Sequence, residues 1–400
     1  MHGGRKDMTA HKIKPAASRR KIAILGSTGS VGQQTIDLIA RAPDSFETIA
    51  LTANKNVALL AEQARTLKPQ LAVVADDAQY QALKEALANT GIKVAAGAKA
   101  VVEAAQMDSD WLMSAIVGAA GLPGTLAAAR RGATIAFANK ETLVCAGPLM
   151  MQLVSECGAT LLPVDSEHNA IYQVFDFDHP EGISRLILTA SGGPFRTISR
   201  EEMGKMTPEQ AIKHPVWSMG AKISIDSATL MNKALEVIEA HFLFQMPREK
   251  IDVLVHPQSV IHSMVEYRDG SVLAQLGSPD MRTPIGYCLA WPDRMETPAP
   301  KLDLAKLGQL TFESPDPQKF PALRFAQEAM EKGGCAPAML SAANEIAVQA
   351  FLDKRIGFLD IERINETVLT KSNIAVLSDL DVLAQADAAA RAMAAELITR

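Results

Sequence analysis

The sequence predicts an α/β protein in three parts: an N-terminal parallel-sheet domain, an α+β middle domain and a helical C-terminal domain. Three observations carry this. From Lys21 to about Val164, short continuous apolar runs alternate with Ala- and Leu-rich stretches, the pattern of strands covered on both faces by helices. From about residue 183 to 300 the runs are spaced differently and surround one strong helix. From about residue 322 the chain is Ala- and Leu-rich with helical spacing.

The length of 400 residues exceeds what one simple core organises, so two or three domains are expected. The boundaries read as a basic, polar, disordered tail at 1–20, a parallel-sheet domain at 21–165, a mixed-sheet domain at 166–300, a Pro-rich linker at 301–321 and a helical domain at 322–400. The tail has no apolar core, so it is not a secretory signal, and no apolar run is long enough to span a bilayer. A net charge of −5 gives no support for nucleic-acid binding, which leaves small molecules and other subunits as partners. Cys145, Cys157, Cys288 and Cys335 form no C-x-x-C pair and suggest neither a zinc knuckle nor a disulfide frame. A reduced, cytoplasmic location follows.

The first-domain strands are KIAIL (21–25), TIALT (48–52), LAVVA (71–75), WLMSAIV (111–117), TIAFA (134–138) and TLLPV (160–164). This is a Rossmann-like arrangement, with ligands at the carboxyl ends of the strands. In the middle domain RLILTAS, AKISID, DVLVHP and SVLAQL read as strands of a mixed sheet, with ATLMNKALEVIEAHFLF as its helix.

The first strand runs into GSTGSVG, where Gly26, Gly29 and Gly32 open a helix. Glycines let the backbone approach a pyrophosphate, and the helix N-terminus offers it free N–H groups. Thr28 and Ser30 add hydroxyls. The same glycines would also serve a tight turn without ligand. The second strand ends in Asn54, Lys55 and Asn56 with no acid, which favours a 2′-phosphate and hence NADP(H), unless Lys55 is only a solvated loop lysine. After the strand TIAFA come Asn139, Lys140 and Glu141, a set suited to a ribose, amide or substrate, or to an ordinary helix start.

The strand TLLPV runs into Asp165, Ser166, Glu167 and His168. If residues 165–167 are extended, Asp165 and Glu167 point to one side and can chelate a hard divalent cation. Glu236 offers a third carboxylate, with Asn232 and Lys233 as its i−4 and i−3 neighbours on the helix; a solvated Lys–Glu face is the alternative. Ser227, Asn232 and Lys233 are types that hold a phosphate, and Ser191 on a double-glycine turn can offer its hydroxyl and nearby N–H groups to an anion. In HPVWSMG, His214 can bind phosphate or move protons, and Trp217 can close over a substrate.

The order GSTGSVG, NKETLV, PVDSEH, SGGPFR, HPVWSMG, DSATLMNKALEVIEA, HPQSVIHSMVEY and PDMRTPI closely resembles the 1-deoxy-D-xylulose 5-phosphate reductoisomerases, from about Lys21 into the C-terminal helices. The resemblance implies an enzyme of isoprenoid precursor synthesis. It isomerises 1-deoxy-D-xylulose 5-phosphate, by steps usually drawn as retro-aldol then aldol, and reduces the aldehyde with NADPH to 2-C-methyl-D-erythritol 4-phosphate. It implies a divalent cation (Mg²⁺, Mn²⁺ or Co²⁺) on Asp165, Glu167 and Glu236. Substrate contacts fall on Lys140, Ser166, Ser191, Ser227, Asn232 and Lys233, with His214, Trp217 and Met281 around them. NADPH contacts fall on Thr28, Gly29, Ser30, Val31, Asn56, Asn139, Glu141 and Gly220. Asn54 stands where relatives often have glycine; Asn tolerates positive φ, so the turn is expected to persist. The family is homodimeric. A metal-independent NADP-dependent dehydrogenase of a small phosphorylated substrate would explain GSTGSVG but leave the three carboxylates idle.

Overall fold

The computed structural model describes residues 19–213, 216–217 and 220–399. The first domain holds β1 (Arg20–Leu25), β2 (Phe46–Ala53), β3 (Leu71–Val74), β4 (Lys93–Ala96), β5 (Trp111–Ser114), β6 (Thr134–Phe137) and β7 (Thr160–Pro163). They form one parallel sheet in the order β4-β3-β2-β1-β5-β6-β7. Along β1, Ile22 and Ile24 enter one core and Ala23 and Leu25 the other. Both faces of the strand are buried, which is why it reads as a continuous apolar run. The strand order departs in both directions from β1, so the crevice beside β1 and β5 is the switch point where such sheets bind ligands. The edge strand β4 was not legible: KVAA carries one β-branched residue and is only partly buried.

The second sheet comprises β8 (Ile183–Ala190), β9 (Ile251–Val255), β10 (Ile261–Tyr267) and β11 (Val272–Leu276). Its order is β11-β10-β8-β9, parallel between β8 and β9 and antiparallel elsewhere. The mixed sheet matches expectation, but AKISID does not belong to it. Residues Ala221–Ala228 are a helix, with Ser224, Ile225 and Ala228 buried at helical spacing and Lys222 paired with Asp226 one turn on. The vacant strand position is filled by β10, whose IHSMVEY mixes polar and apolar residues. The expected long helix begins at Met231 and ends at Leu243, after Leu230 takes φ +59° and separates it from the helix before.

The helix Arg282–Ala290 packs back onto the first sheet, where Ile285 and Leu289 join the core of Ile22 and Ile24. The Trp111 indole N–H donates to the Cys288 carbonyl at 2.9 Å, and the Arg20 guanidinium donates to the Leu289 carbonyl at 2.6 Å. Arg20, read as the end of a tail, is therefore the first residue of β1; residues 1–18 of that tail lie outside the described residues.

The C-terminal region is four helices: Ala322–Lys332, Ala336–Leu352, Asp360–Lys371 and Leu380–Thr399. Ala336–Leu352 is buried almost all round, as a central helix must be when neighbours cover every face.

Candidate active site

The turn after β1 has the shape the glycines suggested. Gly26 adopts φ +86°, and a Cβ there would lie 2.7 Å from the Ala115 carbonyl on the neighbouring strand connection. A Cβ on Gly32 would lie 2.2 Å from the Gly26 carbonyl. The helix Ser30–Arg41 then starts with Gly29 at its N-cap, no capping side chain and no acid in its first turn. Its terminal N–H groups are available to an anion, so the cradle fits a pyrophosphate. Ser30, Val31 and Gln34 face the main cavity; Gly26, Thr28 and Gly29 form the turn beside it.

At the end of β2, Asn54 is not among the described residues with positive φ, so the turn persists without the conformation expected of it. Asn56 caps the helix Val57–Leu67 by accepting from the Leu59 N–H. Lys55 is 72% exposed but has an acid near it: Asp76, from the end of β3, is 3.9 Å away.

Asn139 and Lys140 sit at the carboxyl end of β6. Asn139 is buried, donates from Nδ2 to the Gly118 carbonyl, and leaves Oδ1 without a partner among the described residues. Glu141, expected to face the cofactor, is instead buried against Lys222 at 3.1 Å. Lys222 also holds Asp226 at 2.9 Å, and Asp226 accepts from Asn344, which accepts in turn from Asn365. This polar chain joins the first domain to the C-terminal helices. Burial disfavours the Lys222 ammonium, but Asp226 and Glu141 outweigh it and hold its pKa above the ordinary value.

The carboxylates converge, but not as an extended segment. Asp165 is the N-cap of the helix Ser166–Val174 and accepts from the Glu167 N–H at 3.2 Å. Glu167 is thus in the first helical turn, and its side chain swings toward Asp165 because both leave the same helix end. Glu236 arrives from the helix Met231–Leu243, fully buried, so the alternative of a solvated Lys–Glu face does not hold. One oxygen of each of the three lies within 4.8 Å of the others. Two lysines balance them. Lys140 Nζ is 2.8 Å from Asp165 and 3.2 Å from Glu236. Lys233 Nζ is 3.0 Å from Glu167 and also pairs with Glu236.

Burial opposes every charge here, and the neighbours decide which survive. Lys140 stays well above its usual pKa because Asp165 and Glu236 outweigh burial. Asp165 lies well below the carboxylate range because Lys140 and His168 outweigh it. Glu167 is pushed up to about 7 by burial and by Glu236. An all-oxygen set of three carboxylates, already drawing two ammonium groups, fits a hard divalent cation such as Mg²⁺ or Mn²⁺.

All of this opens into one cavity of about 210 Å³. Its wall includes Ser30 and Val31 from the glycine turn, the carboxylates, Lys140, Ser166, Ser191, Ser227, Asn232, Lys233, Gly220, Trp217 and Met281. Ser191 stands at the head of the turn after β8, where Gly192 and Gly193 take φ +83° and +67°. A Cβ on Gly193 would lie 2.6 Å from the Ser227 carbonyl, so glycine there brings Ser191 and Ser227 together. Trp217 packs its ring 6.2 Å from His262, whose pKa burial lowers to about 4. His214 lies outside the described residues.

Glu239, His168, Lys222 and Gln34 took no expected role at the site, or an uncertain one for His168. Glu239 was detectable in principle: it stands three residues after Glu236, on the same helical face.

The family models cover three stretches of the chain. "1-Deoxy-D-xylulose 5-phosphate reductoisomerase" matches residues 22–147, its C-terminal domain 161–244, and "DXP reductoisomerase C-terminal domain" 276–393. A 1-deoxy-D-xylulose 5-phosphate reductoisomerase of Rhodospirillum centenum is 63% identical over 95% of this chain and 94% of its own length. That of Zymomonas mobilis is 59% identical over 95% and 98%. The solved Z. mobilis enzyme in complex with NADPH superimposes with a TM-score of 0.91 at 58% identity, over 95% of this chain and 99% of that one. A DOX-P reductoisomerase in complex with NADPH, fosmidomycin and magnesium gives 0.91 at 41% identity, over 95% and 98%.

Replacing Lys222 by Met leaves Glu141 and Asp226 facing each other without their cation. The expected loss is about 3 kcal/mol of stability at pH 7 by urea denaturation, the low end for a buried pair because the Lys222 side chain is partly exposed. Glu141 has a depressed pKa in the folded wild type, so its contribution is present above the unfolded value and lost as pH falls. The Glu141 part of the gap between variant and wild type therefore holds from pH 7 down to about 4.5 and narrows only below that. Equal stability at pH 7 contradicts the pairing.

Proposed function

The chain belongs to the 1-deoxy-D-xylulose 5-phosphate reductoisomerase family, and we propose from its geometry which residues do the work. The enzyme isomerises 1-deoxy-D-xylulose 5-phosphate and reduces the product with NADPH to 2-C-methyl-D-erythritol 4-phosphate, with a divalent cation, in isoprenoid precursor synthesis. The observation that carries the assignment is that the glycine turn and the three carboxylates wall a single cavity. A hydride donor seated on the turn and a substrate held by the carboxylate cluster would meet there.

In this reading Asp165, Glu167 and Glu236 hold the cation, which when bound supplies Lewis-acid polarisation of the substrate's carbonyl and hydroxyl oxygens. Ser191, Ser227, Asn232 and Lys233 take the phosphate, as two hydroxyls, an amide and a point charge. Lys140 and Ser166 face the substrate's carbon chain between these ends. Burial and the nearby Glu236 raise the pKa of Glu167, and a bound cation would favour its charged form. Trp217 and Met281 cover the cavity and exclude water, and His214 belongs to the same loop by sequence. Gly26, Thr28, Gly29, Ser30, Val31 and Gly220 form the NADPH cradle. Asn54, Lys55 and Asn56 lie where the 2′-phosphate would reach, and Asn139 supports the nicotinamide end. Glu141 acts there only through the shape it gives the chain, since Lys222 occupies its carboxylate.

The division into an NADPH-binding part at 21–165, a catalytic part at 166–300 and a helical part at 322–400 goes with this reading. The edge strand β11 leaves Val272, Leu273 and Leu276 at 46, 48 and 37% exposure. An apolar, unpaired sheet edge is a surface that a second copy of the chain can cover, which supports a homodimer. A cytoplasmic location is supported by four free cysteines, and among the described residues no helix is long and apolar enough to cross a membrane.

Glu236→Gln is expected to lower kcat on the order of a thousandfold, or ~4 kcal/mol in barrier, while NADPH affinity by calorimetry is unchanged. An equal loss of NADPH affinity contradicts the assignment. Leu273→Lys is expected to shift the enzyme from dimer to monomer in light scattering after size exclusion; an unaltered dimer places the interface elsewhere.

A further inference from the structure

We propose that Glu239 is a positioning residue for the cation site, acting through His168 on Asp165. Glu239 is fully buried one turn beyond Glu236. Neither of its carboxylate oxygens has an aligned hydrogen-bond donor among the described residues. The nitrogen facing it is His168 Nδ1, 3.2 Å from Oε2. A buried carboxylate in this position is costly unless a positive charge answers it, so packing alone does not account for an acid here.

His168 is fixed from its other side. Its Nε2 lies 3.0 Å from the Glu236 carbonyl oxygen. A carbonyl only accepts, so Nε2 carries a proton. Nδ1 then meets two carboxylates, Glu239 and, also at 3.2 Å, Asp165 Oδ1. Glu239 Oε2 and Asp165 Oδ1 thus close on one ring nitrogen from two different helices, and the Glu167 N–H reaches the same Asp165 oxygen. Glu239 sets where the imidazole sits, and the imidazole in turn limits where Asp165 Oδ1 can sit, while Oδ2 lies 2.8 Å from Lys140 Nζ. The same imidazole ties the helix of Glu167 to the helix of Glu236 and so sets the span across which a cation must fit. Outer partners of this kind alter metal affinity by roughly 10–100-fold.

The inference rests on the proposed cation site, and one titration separates the two. Mn²⁺ is titrated into the NADPH-loaded enzyme by calorimetry, for wild type, Asp165→Asn, Glu239→Gln and Glu239→Asp, with NADPH affinity measured alongside. The expected result is a loss of Mn²⁺ binding in Asp165→Asn and a 10–100-fold weakening in Glu239→Gln. Glu239→Asp, which keeps the charge but withdraws it, weakens less, and NADPH affinity is unchanged throughout. If Asp165→Asn binds like wild type, the cation site itself is wrong. If Asp165→Asn fails to bind while both Glu239 variants match wild type, the positioning role alone is overturned. A parallel fall in NADPH affinity overturns it too, because the effect is then on the fold. Should Glu239→Gln not fold, Glu239→Asp decides: weaker binding supports the role and wild-type affinity removes it.

Discussion

Three carboxylates brought to one buried point repel one another, and the centre of this enzyme is organised around that repulsion. At an effective dielectric near 20, two like charges 4 Å apart cost about 4 kcal/mol, and Asp165, Glu167 and Glu236 make three such pairs. One backbone hydrogen bond, worth about 1 kcal/mol net, does not offset this. Opposite charge does, and Lys140 and Lys233 supply it from within the cluster. Even so, two ammonium groups against three carboxylates leave a negative balance, the condition under which a divalent cation is drawn in.

The fold delivers these groups from distant parts of the chain. Asp165 and Glu167 come from the end of the last strand of the parallel sheet, Lys140 from the end of the strand beside it, and Glu236 and Lys233 from a helix of the second domain. The helix Arg282–Ala290 packs Met281 back onto the first sheet, so the cofactor side of the cavity is walled by both domains. The Glu141–Lys222–Asp226–Asn344–Asn365 chain ties the same region to the C-terminal helices. Two domains and the cap of a third thus meet at one set of charges.

Much of this was legible because the physics is local. β1 reads as buried on both faces, GSTGSVG as a turn opening a helix, and PVDSEH as acids at a strand's carboxyl end. What failed was also local. AKISID has strand-like alternation, but the Lys222–Asp226 pair and its buried spacing belong to a helix. An extended DSE would have put the two acids on one side, but Asp165 caps a helix that Glu167 has already entered. The polar face of Met231–Leu243 left a solvated alternative open because a sequence does not say what covers a helix. The helices Lys140–Cys157 and Ala322–Lys332 pack against this one, and the approach of Ser166–Val174 sets His168 between Asp165 and Glu239. The exposed strand edge at β11 was hidden for the same reason, since its apolar residues look like any core strand.

The cation site proposed where Asp165, Glu167 and Glu236 converge can be observed directly. Anomalous diffraction from crystals grown with Mn²⁺ tests it most directly. One strong peak is expected within about 2.0–2.3 Å of an oxygen from each of the three carboxylates, with Lys140 and Lys233 displaced from them. A peak elsewhere, or a cluster that still holds both lysines at saturating Mn²⁺, contradicts it.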